Sequence, residues 1–289
     1  TLANTLSLTD HDPDSDYAIL QSGLGTCGVI DTAGVYNLTG NVLGASIDAS
    51  EVFGIDWACI KIATDNVLFD CGGYNITNDG TADAGGIVVN GTVYIDFHTN
   101  VTIQNCPGVS EYKIGVYFHE TRDDAAFNTT SYNNSLYGFF AYTTQDITIN
   151  DSVAKRNLQA GIYLSNTNLS TAGRNLAYNN SGVGGIAVTS SSFYNNVTSN
   201  IAYNNTYHGV SLDTQSSYNN VSNNTVYDNV GDGIYVHTSY NKIINNTAFN
   251  NNISGIRLYE SVCQYIQVAF ILWSVINREY NLALVRFRD

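Results

Sequence analysis

The 289-residue sequence contains no Met, only two Pro and few charged residues, which make up 12% of the chain. Pro lacks the N–H that a strand donates to its neighbour, so its scarcity is typical of a chain whose residues mostly pair in sheets. Only 11 residues are Lys or Arg and the net charge is −14, which excludes the basic surface that nucleic-acid binding requires. The absence of an initiator Met predicts a chain processed after removal of a signal peptide.

Asn and Gly are abundant instead, with 37 Asn and 25 Gly residues. Both residue types tolerate the left-handed backbone conformation of tight turns, so this composition predicts many short strands joined by many turns. The acidic charge is concentrated in residues 1–120, which carry 15 acids and two bases. Residues 121–289 carry ten acids and nine bases and are nearly neutral.

Three columns of residues repeat along the chain at intervals of 22 to 25 residues. The first consists of glycines that each open an alternating apolar run: Gly115, Gly138, Gly161, Gly185, Gly209, Gly233 and Gly255. The second consists of asparagines: Asn134, Asn157, Asn180, Asn205, Asn229 and Asn251. The third, also of asparagines, marks another corner: Asn175, Asn200, Asn224 and Asn246.

Each repeat contains three strand-like pieces of about five residues, too short for stable helices. Their period-2 alternation is typical of half-buried strands. Three such pieces per 22–24 residues predict an all-β, right-handed parallel β-helix whose coils are about 4.8 Å apart. We expect the second column to form a structural ladder of stacked amides and the glycines to permit tight corners. A fourth column, mainly Tyr and including Tyr178, Tyr203 and Tyr227, predicts rings stacked outside the coil rather than a carbohydrate platform.

Two stretches of the N-terminal part form a recognisable pattern: Cys27-Gly-Val-Ile through GVYNLTGNV, and ACIKIATDNVLFDCGGYNIT from Ala58. This pattern resembles the start of secreted NosD-like β-helix-repeat proteins of archaeal and some bacterial surfaces. The chain departs from that pattern at Thr64 and Phe69, neither of which disturbs the fold. The resemblance covers residues 27–260 and implies an N-terminal cap that leads into a β-helix. It is specific for the fold and weak for function, because the family hosts several roles.

Four of the five cysteines lie in the first 106 residues without metal-type spacing, which predicts disulfides in an oxidising compartment. The resemblance implies a bond between Cys27 and Cys59. Cys71 and Cys106 each end a similar strand, on what we expect to be neighbouring coils, so we expect a second bond between them. Cys263 stands apart.

Four regions follow from these patterns: an extended segment over residues 1–22, a cap with the first coil over 23–64, coils over 65–260, and a cap or extra strand over 261–289. The apolar run after residue 260 is shorter than a membrane span, so we expect no span in the mature chain. In the first region, alternate acids form either half of a calcium site or an exposed acidic linker: Asp10, Asp12, Asp14 and Asp16. We expect no cofactor, with calcium at these four acids as the one alternative. Residues 1–8 could add as a strand to a second copy, which predicts head-to-tail assembly.

Fifteen Asn-X-Ser/Thr sequons occur, roughly twice the number expected by chance. In Asn-Asn-Ser/Thr triplets of several coils, the second Asn belongs to the inward ladder, so the first points outward and is available for a glycan. The predicted glycosylation sites are Asn75, Asn90, Asn133, Asn179, Asn204, Asn223 and Asn245.

The regular coils contain few acids and no clear pair of carboxylates of the kind that glycoside hydrolysis requires. Copper delivery would need Met, Cys or clustered His, whereas the five histidines are scattered, and we expect them to be exposed polar residues: His11, His98, His119, His208 and His237. We therefore expect a non-catalytic extracellular structural protein, such as a self-assembling filament, sheath or S-layer-like subunit or an adhesin, with itself and surface glycans as partners. The alternative is a protein that binds or degrades polysaccharide. Within that alternative, an outer groove with two or more acids and a base would favour an enzyme.

Overall fold

The computed structural model describes residues 21–91, 98–258, 265–267 and 270–271. The described residues contain strands and turns but no helix. The strands, in chain order, are β1 (Gln21–Leu24), β2 (Gly28–Ile30), β3 (Gly34–Leu38), β4 (Val42–Leu43), β5 (Ile47–Asp48), β6 (Trp57–Ile62), β7 (Val67–Asp70), β8 (Ile76–Thr77), β9 (Ala84–Asn90), β10 (His98–Thr99), β11 (Val101–Gln104), β12 (Val109–Ser110), β13 (Ile114–His119), β14 (Thr121–Arg122), β15 (Ala125–Phe127), β16 (Thr130–Tyr132), β17 (Tyr137–Gln145), β18 (Thr148–Asn150), β19 (Val153–Lys155), β20 (Ala160–Asn168), β21 (Thr171–Gly173), β22 (Leu176–Tyr178), β23 (Gly184–Thr189), β24 (Asn196–Thr198), β25 (Ile201–Tyr203), β26 (His208–Leu212), β27 (Asn220–Ser222), β28 (Thr225–Tyr227), β29 (Ile234–Val236), β30 (Lys242–Ile244), β31 (Thr247–Phe249), β32 (Ile256–Leu258), β33 (Tyr265–Gln267) and β34 (Phe270–Ile271).

These strands build a right-handed parallel β-helix, which confirms the predicted fold. Sheet A runs β1-β3-β7-β11-β15-β18-β21-β24-β27-β30-β33, and sheet C runs β4-β8-β12-β16-β19-β22-β25-β28-β31-β34. Sheet B runs β2-β6-β9-β13-β17-β20-β23-β26-β29-β32, with β5, β10 and β14 attached at its side. All pairings within the described strands are parallel except that of β5 with β6.

The coils differ in length along the axis. Val67 pairs with Val101, an advance of 34 residues, whereas Thr148 pairs with Thr171, an advance of 23. Inward side chains of each strand form one continuous apolar core, because period-2 alternation turns every second residue to the interior. In β20, for example, Ile162 and Leu164 are buried.

Buried asparagines form ladders at the corners of the coil. At the corner between sheets C and B, the Asn180 backbone N–H donates to Oδ1 of Asn205 at 3.0 Å, and the Asn180 Nδ2 donates to the Ala154 carbonyl at 3.0 Å. Each amide thus satisfies backbone groups that the turn leaves unpaired. The same pattern recurs along the column, whose members are buried except for the half-buried Asn251: Asn134, Asn157, Asn180, Asn205, Asn229 and Asn251.

The glycine column has a different role from the one predicted. Gly161 does not have positive φ, so it is not required for a left-handed corner. A Cβ at Gly161 would lie 2.7 Å from both the Gly185 carbonyl oxygen and Nδ2 of Asn180. The column is therefore explained by close approach of successive coils. The left-handed conformation belongs instead to the outward residue before each ladder Asn, such as Asn179 with φ of 55°.

Aromatic rings stack along sheet C, as the sequence predicts. The ring centroids of Tyr178 and Tyr203 are 4.9 Å apart with planes 6° from parallel, and those of Tyr203 and Tyr227 are 5.0 Å apart at 2°. A second stack, of Tyr194, Tyr218 and Tyr240, lies at the corner between sheets B and A. Each inner ring turns both faces to its neighbours, so the inner rings of these columns do not offer a face to a sugar.

Both expected disulfides are present. Each takes positions in the coil that are equivalent to those of glycine or asparagine residues in later coils. Cys27 bonds Cys59 with Cα atoms 4.5 Å apart, in the register of the glycine column. Cys71 bonds Cys106 with Cα atoms 4.8 Å apart. Cys106 is at the corner that Asn175 occupies in a later coil.

The coil extends further at both ends than the predicted regions suggest. β1, which starts at residue 21, already pairs with β3, so coil pairing is present before residue 23. At the other end β33 pairs with β30 and β34 with β31, so pairing continues beyond residue 260. Asp10, Asp12, Asp14 and Asp16, residues 1–8 and Cys263 lie outside the described residues.

Candidate functional site

A long connection between β4 and β6 folds over the outer face of sheet B. Two tyrosine hydroxyls anchor this segment, residues 44–56: Tyr112 donates to the Gly44 carbonyl at 2.8 Å and Tyr117 to the Phe53 carbonyl at 2.9 Å. Val52 and Ile55 pack against outward side chains of the sheet in a second apolar cluster, separate from the interior core. Burial raises the pKa of both tyrosines, which therefore remain neutral donors.

The covering segment and the sheet enclose a groove with two adjoining lobes. The larger lobe has a volume of about 630 Å³ and is lined by Ser50, Glu51, Val52, Phe53, Gly54, Ile55, Asp56, Asp83, Lys113, His119, Glu120 and Tyr142. The smaller lobe has a volume of about 320 Å³ and is lined by Glu51, Lys61, Ala63, Asn90, Gly91, His98, His119 and Glu120. The lobes share Glu51, His119 and Glu120, so these side chains lie where a ligand spanning both lobes would pass.

His119 is held rigidly in the wall between the lobes. It is 5% exposed, its Nδ1 lies 2.9 Å from Oδ1 of Asn90, and its ring lies against the rings of Tyr117 and Tyr142. Because an amide oxygen only accepts, Nδ1 carries the proton and Nε2 has the free lone pair. Burial lowers the pKa of His119 to about 4, partly offset by Glu51, so the ring is neutral at neutral pH.

Charged side chains on both walls are paired within the groove. Lys61 forms an ion pair with Glu51 and also donates to the Asp48 carbonyl, and Lys113 forms an ion pair with Asp83. The sequence did not predict that these charged residues lie together, because they are scattered between positions 48 and 120.

Glu120 follows His119 in a left-handed backbone conformation, with φ of 54°. Its Oε2 is buried and, among the described residues, has no hydrogen-bond partner. Its backbone position depends on a close approach by Gly91, where a Cβ would lie 1.8 Å from the Glu120 carbonyl oxygen. Only glycine fits at position 91, because any Cβ there would clash with the Glu120 backbone.

An aromatic rim borders the larger lobe. Phe53 is 62% exposed, and its ring stacks on Tyr142 with centroids 5.0 Å apart and planes 24° from parallel. Phe53 is the last ring of its stack, whereas each inner ring of the sheet C stack has another ring on both faces. An exposed large apolar side chain beside polar groups is a common feature of binding surfaces.

Further along sheet B, a second polar cluster lies outside this groove. His208 accepts the Asp232 backbone N–H at 3.0 Å, and the fully buried Asp232 forms an ion pair with Arg257 at 3.0 Å. Burial, with help from Arg257, lowers the pKa of His208 to about 4. His119 and His208 are both 5% exposed, so the interpretation of the histidines as exposed residues is wrong for these two.

The predicted glycosylation sites differ in accessibility. Five are exposed: Asn133, Asn179, Asn204, Asn223 and Asn245. Asn75 is half-buried. Asn90 is 8% exposed and its amide bonds His119 and Glu51, so a glycan on Asn90 does not fit the structure.

The family model described as "Periplasmic copper-binding protein (NosD)" matches two overlapping stretches of this chain, residues 44–184 and 99–268. The chain belongs to the NosD family. A search of curated protein sequences found no match. The matched stretches include both the groove and the regular coils.

Solved structures share the fold at low sequence identity. The A-module of Azotobacter vinelandii mannuronan C-5 epimerase AlgE4 is 20% identical, with a TM-score of 0.60, over 76% of this chain and 70% of that one. The AlgE6 A-module is 18% identical, with a TM-score of 0.57, over 76% and 68%. A DFA-IIIase from Arthrobacter chlorophenolicus A6 is 12% identical, with a TM-score of 0.53, over 87% and 79%.

The described residues do not fit a copper site. Copper favours Met, Cys or clustered His ligands, but Met is absent from the sequence and the four described cysteines are in disulfides. Within the described ranges, no three His, Cys, Asp or Glu side chains are grouped so that they could hold a metal ion.

The disulfides and the family point to an oxidising environment outside the cytoplasm, either periplasmic or extracellular. The part of the chain that the structure describes includes no helix able to span a membrane.

Proposed function

We propose that this protein binds a polysaccharide and that the groove over sheet B holds several consecutive sugars. The convergence of Glu51, His119 and Glu120 between two lobes carries this proposal, because a ligand filling both lobes must contact all three. Four carboxylates and two lysines line the lobes, and such a polar outer groove supports a protein that acts on or binds polysaccharide rather than a filament subunit.

The chemistry of the lining suits sugars. Carboxylates and the free Nε2 of His119 accept hydrogen bonds, and sugar hydroxyls donate them. The negative face of the Phe53 ring attracts the weakly positive C–H groups on one face of a pyranose. Specificity from a few polar groups and an apolar surface is typical of preformed ligand sites.

The fold is compatible with this role. Two of the similar structures are mannuronan C-5 epimerases, named for action on a polysaccharide. Their low identity supports the architecture only, so the proposal rests on the groove. The expectation of a non-catalytic protein and the expectation of head-to-tail assembly through residues 1–8 stay predictions.

Phe53→Ala tests the proposal. We expect it to weaken glycan binding about tenfold, or roughly 1.4 kcal/mol, in calorimetric titrations with glycans identified on an array. Tyr74→Ala is the matched control, since Tyr74 is 38% exposed but lies outside the lining of both lobes. Equal affinities for the wild-type protein and Phe53→Ala, or no binding to any glycan, would overturn the proposed function.

A further inference from the structure

The lining of the groove has more acids than bases. We propose that it binds a glycan with free amino groups, a glucosamine-type polymer, in preference to a neutral or uronate polymer. This inference rests on the proposed function and adds the chemical class of the ligand.

The first observation is the charge of the groove lining. Four carboxylates face the lobes, and the two lysines among the lining residues are each already paired with one of them. These lysines are largely covered as well, with side chains 17% and 26% exposed. The lining therefore carries an excess of two negative charges and, within the described part of the groove, no unpaired cation for a uronate carboxylate.

The second observation is a pair of acceptors that lack donors. His119 is 5% exposed and lines both lobes, and its Nε2 has no hydrogen-bond partner among the described residues. Glu120 also lines both lobes, and its Oε2 has no such partner. A buried polar atom without a partner costs free energy, so the Glu120 carboxylate favours a cation that pairs with it, and Nε2 of His119, whose ring is bonded through Nδ1 only, favours a donor.

An ammonium group meets both requirements. It has three donors and a positive charge, and it can pair with the Glu120 carboxylate while it donates to His119. A uronate would instead bring a like charge beside Glu51 and Glu120, which is costly where water is partly excluded. An N-acetylated sugar offers one amide N–H and no charge, so it should bind more weakly.

The test compares oligomers of equal length made of glucosamine, N-acetylglucosamine and mannuronate, titrated calorimetrically into wild-type protein and Glu120→Gln. We expect glucosamine oligomers to bind at least tenfold more tightly than the other two, and Glu120→Gln to remove most of that preference while leaving N-acetylglucosamine affinity nearly unchanged. Glu111→Gln is the matched control, because Glu111 is exposed and also has positive φ but lies outside the groove lining.

Other outcomes separate the two proposals. Tighter binding of mannuronate or N-acetylglucosamine that still depends on Phe53 would overturn the amino-sugar inference and leave polysaccharide binding in place. Glucosamine binding unchanged by Glu120→Gln would also overturn the inference. Absence of binding by all three oligomers, together with no other glycan bound on the array, would overturn both.

Discussion

The N-terminal and C-terminal coils are held together at the same corner by different chemical groups. At the corner between sheets A and C, later coils hold their backbone with buried amides, as where Asn175 donates to the Ile149 carbonyl at 2.7 Å. In the earlier coils Cys71 and Cys106 form a disulfide at that corner. Amide contacts also occur between the longer N-terminal coils, as where Asn100 donates to Oδ1 of Asn66 across 34 residues, so coil length alone does not explain the difference. The covering segment 44–56 lies in the same part of the chain as the two disulfides.

The largest effect should come from disrupting the regular coils. Gly161→Ala places a methyl group 2.7 Å from the Gly185 carbonyl oxygen, which cannot move without separating two coils. We expect the free energy of unfolding to fall by about 3 kcal/mol in chemical denaturation. Gly40→Ala is the control, since a Cβ there meets nothing within 4 Å and its φ is not positive. Equal losses in the two variants would show that close approach does not explain the glycine column.

A slightly smaller effect is expected in the irregular coils. Removing the second disulfide with the double variant Cys71→Ala and Cys106→Ala opens a loop with a sequence separation of 35 residues. Loop-closure entropy sets an upper limit of about 4 kcal/mol, and residual structure in the unfolded chain should reduce the measured loss to about 2.5 kcal/mol. Hydrogen exchange should accelerate in residues 65–110 and remain unchanged in 196–249, because coils contact only their neighbours. Uniform acceleration along the chain would contradict a division between the two regions.

Sequence alone predicts the regular half well. The spacing of the Gly and Asn columns is sufficient for the fold, because each coil repeats the same contacts. The sequence-based prediction missed a further ladder at the corner between sheets B and A. This ladder consists of Asn195, Asn219 and Asn241, whose spacings of 24 and 22 residues were visible in the sequence.

The groove could not be predicted in the same way. Its residues come from an insertion and from outward positions of separate coils, so Glu51 and Glu120 are brought together only by the register of the sheet. The one available signal was the irregular spacing before Gly115, which marks lengthened coils. The glycine prediction was wrong for a related reason, since local sequence reports turns but not contacts between coils.

The smallest predicted effect concerns Asp124, where the irregular N-terminal coils meet the regular coils. Asp124 is buried at the corner where later coils have Ser170 and Asn195, and it accepts the Val101 N–H at 2.8 Å. Burial raises the pKa of Asp124 to about 7. Between about pH 4 and 7 the folded state binds more protons than the unfolded state, so stability falls as pH rises through that window.

Asp124→Asn removes this ionisation and restores the residue type of the later ladder. We expect the variant to exceed the wild-type protein in unfolding free energy by roughly 2 kcal/mol at pH 8 and to match it near pH 4. Asp123→Asn serves as control, because Asp123 is the exposed neighbour with positive φ, which Asn tolerates. A gain that does not depend on pH would contradict the assigned cause.

Hydrogen exchange of the wild-type protein, measured with and without saturating glucosamine oligomer, tests most directly whether the irregular N-terminal coils bind the glycan and the regular coils do not. The account predicts slower exchange in residues 44–63, 84–91 and 117–124, which form the groove, and unchanged exchange in residues 196–249. Slower exchange confined to residues 196–249, where the tyrosine stacks lie, would contradict it.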